Sequence, residues 1–210
     1  MTIGAEPAAA NVTPETSHAG SGTALVIIDM LNDLSFKGGE ALLPAAKKIT
    51  PRILALKKAA AGLGLPVIYV NDNYGQWHAD QAAIVAHVTR DGAPGAAIAL
   101  ALQPTPDDYF VIKPRISGFY ATNLQVLLPE LGVTALVLTG MAADICVLFT
   151  AADAHMRQYR LWVPRDCIAG EDDRRTAWAT AIMQEAMEAE TRPSTAIEIP
   201  SFARSNPSSQ

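Results

Sequence analysis

The stretch from Ala135 to Met156 constrains the fold more than any other part of this 210-residue chain. Ala135–Thr139 (ALVLT) is a short apolar run with branched residues, the composition of an interior parallel strand buried on both faces. From Asp144 onward, Ile145, Leu148, Phe149, Ala152 and Met156 recur at helical spacing. Gly140 therefore marks a strand-to-helix turn, and Cys146 falls in or near the first helical turn. Free backbone N–H groups and the positive end of the helix dipole favour a thiolate there. So placed, Cys146 is a candidate nucleophile, provided that a base and a charge partner stand nearby.

Two other strand ends supply them. Ala24–Ile28 (ALVII) runs directly into Asp29, and Tyr109–Ile112 (YFVI) runs directly into Lys113. If these strands lie parallel to Ala135–Thr139 in one sheet, Asp29, Lys113 and Cys146 share its carboxyl edge, where ligands of open α/β sheets bind. A carboxylate can take the thiol proton, and a lysine can orient that carboxylate and balance its charge. Singly, each has an ordinary reading: an Asp after a strand caps a turn, and a Lys there is solvated. The coincidence of three reactive types at three corresponding strand ends argues for a site.

The rest of the chain alternates strand and helix. A helix is expected over Glu40–Ala61, stopped by Gly62 and Gly64, with Pro66 introducing a strand at Val67–Val70. A polar and aromatic loop, Asn71–Asp80, precedes a weak helix over Gln81–Val88. An irregular stretch broken by Gly92, Pro94 and Gly95 leads to Tyr109. Ala121–Leu131 reads as a helix with Gly132 as its C-cap, Leu161–Val163 as a fifth strand, Asp173–Glu190 as a long amphipathic helix and Thr195–Ile199 as a sixth strand. Six strands with intervening helices imply an α/β fold, a parallel sheet with right-handed crossovers. Residues 22–202 form one domain on this reading. Met1–Ser21, rich in Ala, Thr, Ser, Gly and Pro, is expected to be a disordered lead-in, and residues 203–210 a flexible tail.

Composition excludes several partners. A net charge of −5 and the lack of any Lys/Arg run argue against a nucleic-acid surface, and no apolar run is long enough to span a membrane. The N-terminal segment has no basic region followed by an apolar core, so no export signal is expected. Two cysteines do not make a disulfide framework, which points to a reducing cytoplasm. Cys167, just past a strand, reads as a packed thiol. Asp144 and Asp166 read as buttresses of neighbouring loops, and His155, two to three turns along the Cys146 helix, as structural or at a subunit contact.

In four segments the chain resembles the isochorismatase-like cysteine hydrolases: Ala24–Leu34 (ALVIIDMLNDL), Val67–Asn73 (VIYVNDN), Val111–Leu124 (VIKPRISGFYATNL) and Leu136–Asp153 (LVLTGMAADICVLFTAAD). They stand in the family's order and spacing. The resemblance implies a three-layer αβα sandwich with a six-stranded parallel sheet, Rossmann-like in topology. It implies an Asp29–Lys113–Cys146 triad and a non-proline cis peptide joining Met141 to Ala142. It also implies an oxyanion hole formed by the Ala142 and Cys146 N–H groups. Where family members often read Asp-x-Gln-Asn-Asp-Phe, this chain has Asp29-Met30-Leu31-Asn32-Asp33-Leu34, which alters the pocket wall but not the triad.

Nicotinamidases of that family hold a transition metal on an Asp-x-His pattern after the second strand, with a further His. Here Asp72 is followed by Asn73 and Tyr74, and His78 alone is too few. No metal and no other cofactor is expected. Asp72, Asn73 and Trp77 are instead expected to shape the pocket by hydrogen bonding and stacking, with an ordinary polar loop the competing reading for Asn73. Phe119, the further candidate for substrate binding, and Tyr120 are the remaining aromatics expected near the site, with a core position the competing reading for either. The expected function is cysteine-dependent hydrolysis of a C–N bond in a small amide, ureide or related compound through a thioester, by a homo-oligomer (dimer or tetramer). Two alternatives stand beside it: vinyl-ether hydrolysis of the isochorismatase type, and a non-catalytic ligand-binding or redox-responsive protein on the same fold.

Overall fold

A computed structural model of the protein describes residues 22–204. Its sheet is entirely parallel, with β1 (Thr23–Ile28) at the centre between β2 (Val67–Asp72) and β4 (Ala135–Met141). β3 (Tyr109–Lys113) pairs outside β2, β5 (Arg160–Trp162) pairs with β4, and β6 (Ile168–Ala169) pairs with β4 beyond β5. Every residue of β1 and β4 is buried, as the unbroken apolar runs require.

Alternate residues of one strand feed opposite cores. Leu25, Ile27, Val67, Tyr69 and Val137 face α1 (Gly39–Gly62) and α3 (Ala96–Ala101). Ala24, Val26, Ile28, Ile68 and Leu138 face α4 (Leu124–Glu130), α5 (Leu148–Met156) and α6 (Asp173–Ala186). α2 (Gln81–Val88) lies over the first of these cores through Val88. This is the three-layer sandwich. Each fully buried Leu or Ile side chain contributes about 1.5–3 kcal/mol. α1 runs through Pro44 and Pro51, although an interior proline costs a helix about 3 kcal/mol. Its apolar stripe of Leu42, Ala46, Ile49, Ile53, Leu56 and Ala60, all buried, offsets that cost.

The sixth strand is not where the alternation predicted it. Thr195–Ile199 forms a turn, with the Ala196 N–H donating to Pro193 O, and then α7 (Ile199–Arg204). The outer edge of β5 is already occupied, because Glu190 donates to Leu161 O and accepts from the Val163 N–H. Ile197, Ile199 and Phe202 bury themselves against the α1 core instead. The sixth strand is β6, two residues long and too short for any period to show. α3 occupies part of the stretch read as irregular. The helix read from Ala121 begins at Leu124, since Ala121 has a left-handed φ of 52°, and the helix read to Glu190 ends at Ala186. The lead-in over 1–21 lies outside the described residues, as does the tail apart from Ala203 and Arg204, which close α7. Among the described residues, no helix is long and apolar enough to cross a membrane.

Gly140 holds the junction between β4 and the Cys146 segment. Its φ is +116°, and a Cβ there would lie 2.0 Å from the Ile28 carbonyl oxygen on the neighbouring strand. Backbone cannot yield as a side chain can. Gly140→Ala is therefore expected to destabilise the domain by at least about 1–3 kcal/mol, the ordinary cost of a strained φ, with the clash added. Denaturant unfolding checks this, and a midpoint within error of the parent would refute it.

Candidate active site

Four neighbouring strands deliver the site to the carboxyl edge of the sheet. Asp29 follows β1 with a left-handed φ of 53°, a conformation that Asp tolerates better than most residues. Its N–H still donates to Val70 O (3.0 Å), so the carboxylate turns inward while the strand pairing is kept. Asp29 Oδ1 accepts from the Asp72 N–H at 2.9 Å. Lys113 ends β3 and is the register partner of Asp72. Because β2 lies between β3 and β1, the Lys113 side chain must cross β2 to reach Asp29. It does so, placing Nζ 2.9 Å from Asp29 Oδ2 with only 1% of the lysine side chain exposed.

The same ammonium donates to Arg115 O (3.2 Å) and to Cys146 Sγ (3.5 Å), and it lies 3.8 Å from Asp72 Oδ2. The Asp29 charge also acts on the Cys146 thiol, which shares this cation with it. Cys146 stands in a π turn, Ala143–Val147, that leads into α5. Ala142 O accepts from the N–H groups of Ile145 and Val147 (3.1 Å each), two bonds that straddle Cys146. Single π turns inside helices concentrate at functional positions. The Met141–Ala142 peptide is cis. Thr150 Oγ1 fastens the turn to the next one by donating to Cys146 O (2.6 Å) and accepting from the Gly118 N–H (2.9 Å).

Electrostatics corrects one expectation from the sequence. Burial pushes the Asp29 carboxyl above the usual carboxylate range, against the pull of Lys113 and its hydrogen bonds. Burial works against the Lys113 ammonium, but attraction to Asp29, Cys146 and Asp72 outweighs it and raises that pKa too. Burial, reinforced by the Asp29 charge, pushes the Cys146 thiol up to about 12, even though Lys113 pulls it down. Burial therefore favours the protonated sulfur. The helix-terminus effect invoked from sequence is worth about 1 kcal/mol, which is small beside desolvation in a closed site. Burial pushes Cys167 up to about 12 as well. The two thiols differ in access and partners: Cys167 is fully buried beside Asp166, whereas Cys146 is half-buried beside Asp29 and Lys113.

The pocket residues named from sequence have other contacts. Asn73 Oδ1 accepts from the Gly75 N–H (2.9 Å), so this buried side chain builds the turn after β2. Trp77, on the same loop, is 73% exposed. Phe119 is 2% exposed and sits in the core, 6.1 Å from the Tyr159 ring, with the Arg157 guanidinium over its face. The hydrogen bond from its N–H to Ser117 Oγ turns the chain inward there. Two residues support the site in ways that residue type does not reveal. The Asp72 backbone orients Asp29, and Arg175 of α6 binds Asp144 (2.6 Å) in the π turn. Nothing in Asp-Asp-Arg-Arg-Thr marks Arg175 before the packing of α6 is known. Among the described residues, no group of three or more His, Cys, Asp or Glu side chains could hold a metal ion.

Comparison with known proteins agrees with this architecture. Residues 23–194 match the model of the isochorismatase domain. The uncharacterized isochorismatase family protein YaaI of Bacillus subtilis is 44% identical over 167 residues, covering 80% of this chain and 91% of that one. The ureidoacrylate amidohydrolase RutB of Agrobacterium fabrum is 30% identical over 184 residues, covering 76% and 78%. Among solved structures, N-carbamoylsarcosine amidase from Thermoplasma acidophilum superposes with a TM-score of 0.64 at 30% identity, covering 84% of this chain and 98% of that one. The chain belongs to the isochorismatase family of hydrolases.

The buried ion pair yields a stability prediction. Lys113→Ala leaves the Asp29 carboxylate buried without its partner, and breaking such a pair costs about 3–5 kcal/mol. The double change Asp29→Asn with Lys113→Met removes both charges and is expected to recover most of that loss. Denaturant unfolding of the three proteins checks the pattern. Equal stability of Lys113→Ala and the parent would show that the pair is not buried as described.

Proposed function

We propose that this chain is a cysteine-dependent hydrolase that cleaves a C–N bond in a small amide or ureide through a thioester intermediate. The observation that carries this reading is the contact set around Lys113. One ammonium lies 2.9 Å from the carboxylate of Asp29 and 3.5 Å from the sulfur of Cys146, holding base and nucleophile against the same cation.

In the proposed sequence, Asp29 accepts the thiol proton as Sγ attacks the substrate carbonyl. The N–H groups of Ala142 and Cys146 receive the negative charge that develops on the carbonyl oxygen. The proton on Asp29 then passes to the leaving nitrogen, the C–N bond breaks, and an acyl or carbamoyl thioester remains on Cys146. Asp29 next takes a proton from water as it attacks. The C–S bond breaks, and the proton returns to sulfur. Lys113 keeps the carboxylate oriented through both halves. A carboxyl group with a raised pKa suits this work, because a stronger base removes a thiol proton more readily. The activities of two relatives, ureidoacrylate amidohydrolase and N-carbamoylsarcosine amidase, support a C–N bond and a ureide-like substrate.

Ammonia release from a panel of small amides and ureides tests the reaction. Asp29→Asn and Cys146→Ala should each lower turnover on any active compound by at least about 10²–10⁴-fold. They should not add when combined, because the residues act as a unit. Turnover by a folded Cys146→Ala protein would end the thioester reading.

The pH profile gives a second test with a definite sign. Asp29 must be ionised to accept the proton, so kcat/KM falls as pH drops through its pKa. That acid limb should lie above the 3.8 of an ordinary aspartate. Because Asp29 removes the proton during attack, no preformed thiolate is needed, and the rate should be level through roughly pH 8–10, the range of ordinary thiol ionisation. A rate that climbs about tenfold per pH unit there would show that the thiolate must form first.

A further inference from the structure

Asp72 is the open side of an otherwise closed cluster. The Asp29 and Lys113 side chains are 7% and 1% exposed, whereas that of Asp72 is 39% exposed. Its two oxygens differ. Oδ1 accepts from the Tyr74 N–H (2.7 Å) and so caps the turn after β2. Oδ2 accepts no hydrogen bond from any described residue and lies 3.8 Å from Lys113 Nζ, beyond hydrogen-bond range. The same ammonium is 3.5 Å from Cys146 Sγ. The nucleophile and a half-solvated carboxylate oxygen thus flank one buried cation, within reach of a single small molecule.

The charge count points the same way. Two carboxylates, Asp29 and Asp72, surround one ammonium. A molecule entering beside Oδ2 meets excess negative charge and an unfilled acceptor, which together favour an N–H donor and repel an anion.

We propose that Asp72 is a specificity-determining residue, its Oδ2 accepting a hydrogen bond from a substrate N–H and excluding substrates that carry a carboxylate at that position. This rests on the reading of Cys146 as the nucleophile facing the substrate. It narrows the substrate class to amides and ureides with an N–H donor next to the attacked carbonyl and no carboxylate at that position.

Two alkylating agents test the point without a known substrate. Iodoacetamide carries a neutral primary amide and iodoacetate a carboxylate on the same reactive carbon. In both reactions Cys146 Sγ forms a C–S bond, iodide leaves, and the thiol proton passes to Asp29. The ratio of the two rates cancels the intrinsic reactivity of the thiol and isolates recognition of the attached group. Mass spectrometry follows labelling of Cys146 in the full chain, its Asp72→Asn and Asp72→Ser variants, and a Glu40→Gln control that removes one exposed carboxylate on α1. Both Asp72 variants keep a side-chain oxygen for the Tyr74 N–H, and thermal melting identifies the folded ones.

The parent should prefer iodoacetamide. That preference should fall on the order of tenfold in the Asp72 variants, as expected for removing a unit charge at close range, and change little in the control. An unchanged ratio in a folded Asp72 variant overturns the assignment while leaving the nucleophile reading intact. Failure of Cys146 to react faster than Cys167 with either reagent overturns the nucleophile reading itself.

Discussion

One buried ammonium organises the carboxyl edge of this sheet. A lysine head group removed from water loses several kcal/mol of hydration, and only close opposite charge and filled hydrogen bonds make the position tolerable. Lys113 finds Asp29 at 2.9 Å, the Arg115 carbonyl, the Cys146 sulfur and, at longer range, Asp72. The strand order makes this arrangement possible. Since β2 separates β3 from β1, a residue at the end of β3 meets one after β1 only with a long side chain, and lysine has the reach and three donors. Asp72, at the end of the intervening strand, contributes its backbone N–H to Asp29 from beneath that crossing.

Cys146 depends on the helix layer of α5 and α6 for its position. Cys146 is carried by a π turn, whose backbone bonds are less regular than those of an α-helix and which therefore needs outside support. Thr150 holds it on one side through Gly118, and Arg175 of α6 holds it on the other through Asp144, while also pairing with Glu171. One oxygen of Asp144 is buried without a hydrogen-bond partner, a cost the Arg175 pairing offsets. The close approach of Gly140 to the Ile28 carbonyl fixes where this turn begins relative to Asp29. Asp29 and Cys146 are thus positioned by the same pair of neighbouring strands, β1 and β4.

What could be read from the sequence follows the range of the interactions involved. The strands β1, β2 and β4 were legible because burial on both faces demands unbroken apolar runs, and Asp29, Lys113 and Cys146 follow or end three of the parallel strands. β6 was not, because a two-residue strand has no period and exists only through pairing with β4. Thr195–Ile199 misled for the complementary reason: its apolar residues are buried, but against α1, since Glu190 had already filled the edge of β5. The placement of the expected pocket residues likewise depends on contacts that a residue type does not reveal. Asn73 and Phe119 are polar and aromatic residues near the site in sequence, yet backbone turns capped by Asn73 itself and by Ser117 decide where their side chains go. The basicity of the thiol was misread because a local effect, the helix terminus, is visible in sequence, whereas burial of the whole cluster is not.

A protonated thiol at rest has a chemical consequence that ties these strands together. A free thiolate reacts with oxidants and with any electrophile that reaches it, whereas a sulfur held as the thiol becomes a strong nucleophile only when Asp29 removes its proton. In the proposed mechanism that transfer accompanies attack, so the reactive species exists only with a carbonyl in place. Burial, which raises the pKa values of both Asp29 and Cys146, makes the base stronger as it makes the thiol weaker as an acid. The stronger base thus works against the weaker acid, so burial of the pair opposes the transfer less than burial of the thiol alone would. Lys113 is what lets them coexist: it stays within reach of both atoms, so its charge can stabilise whichever of the two carries the negative charge.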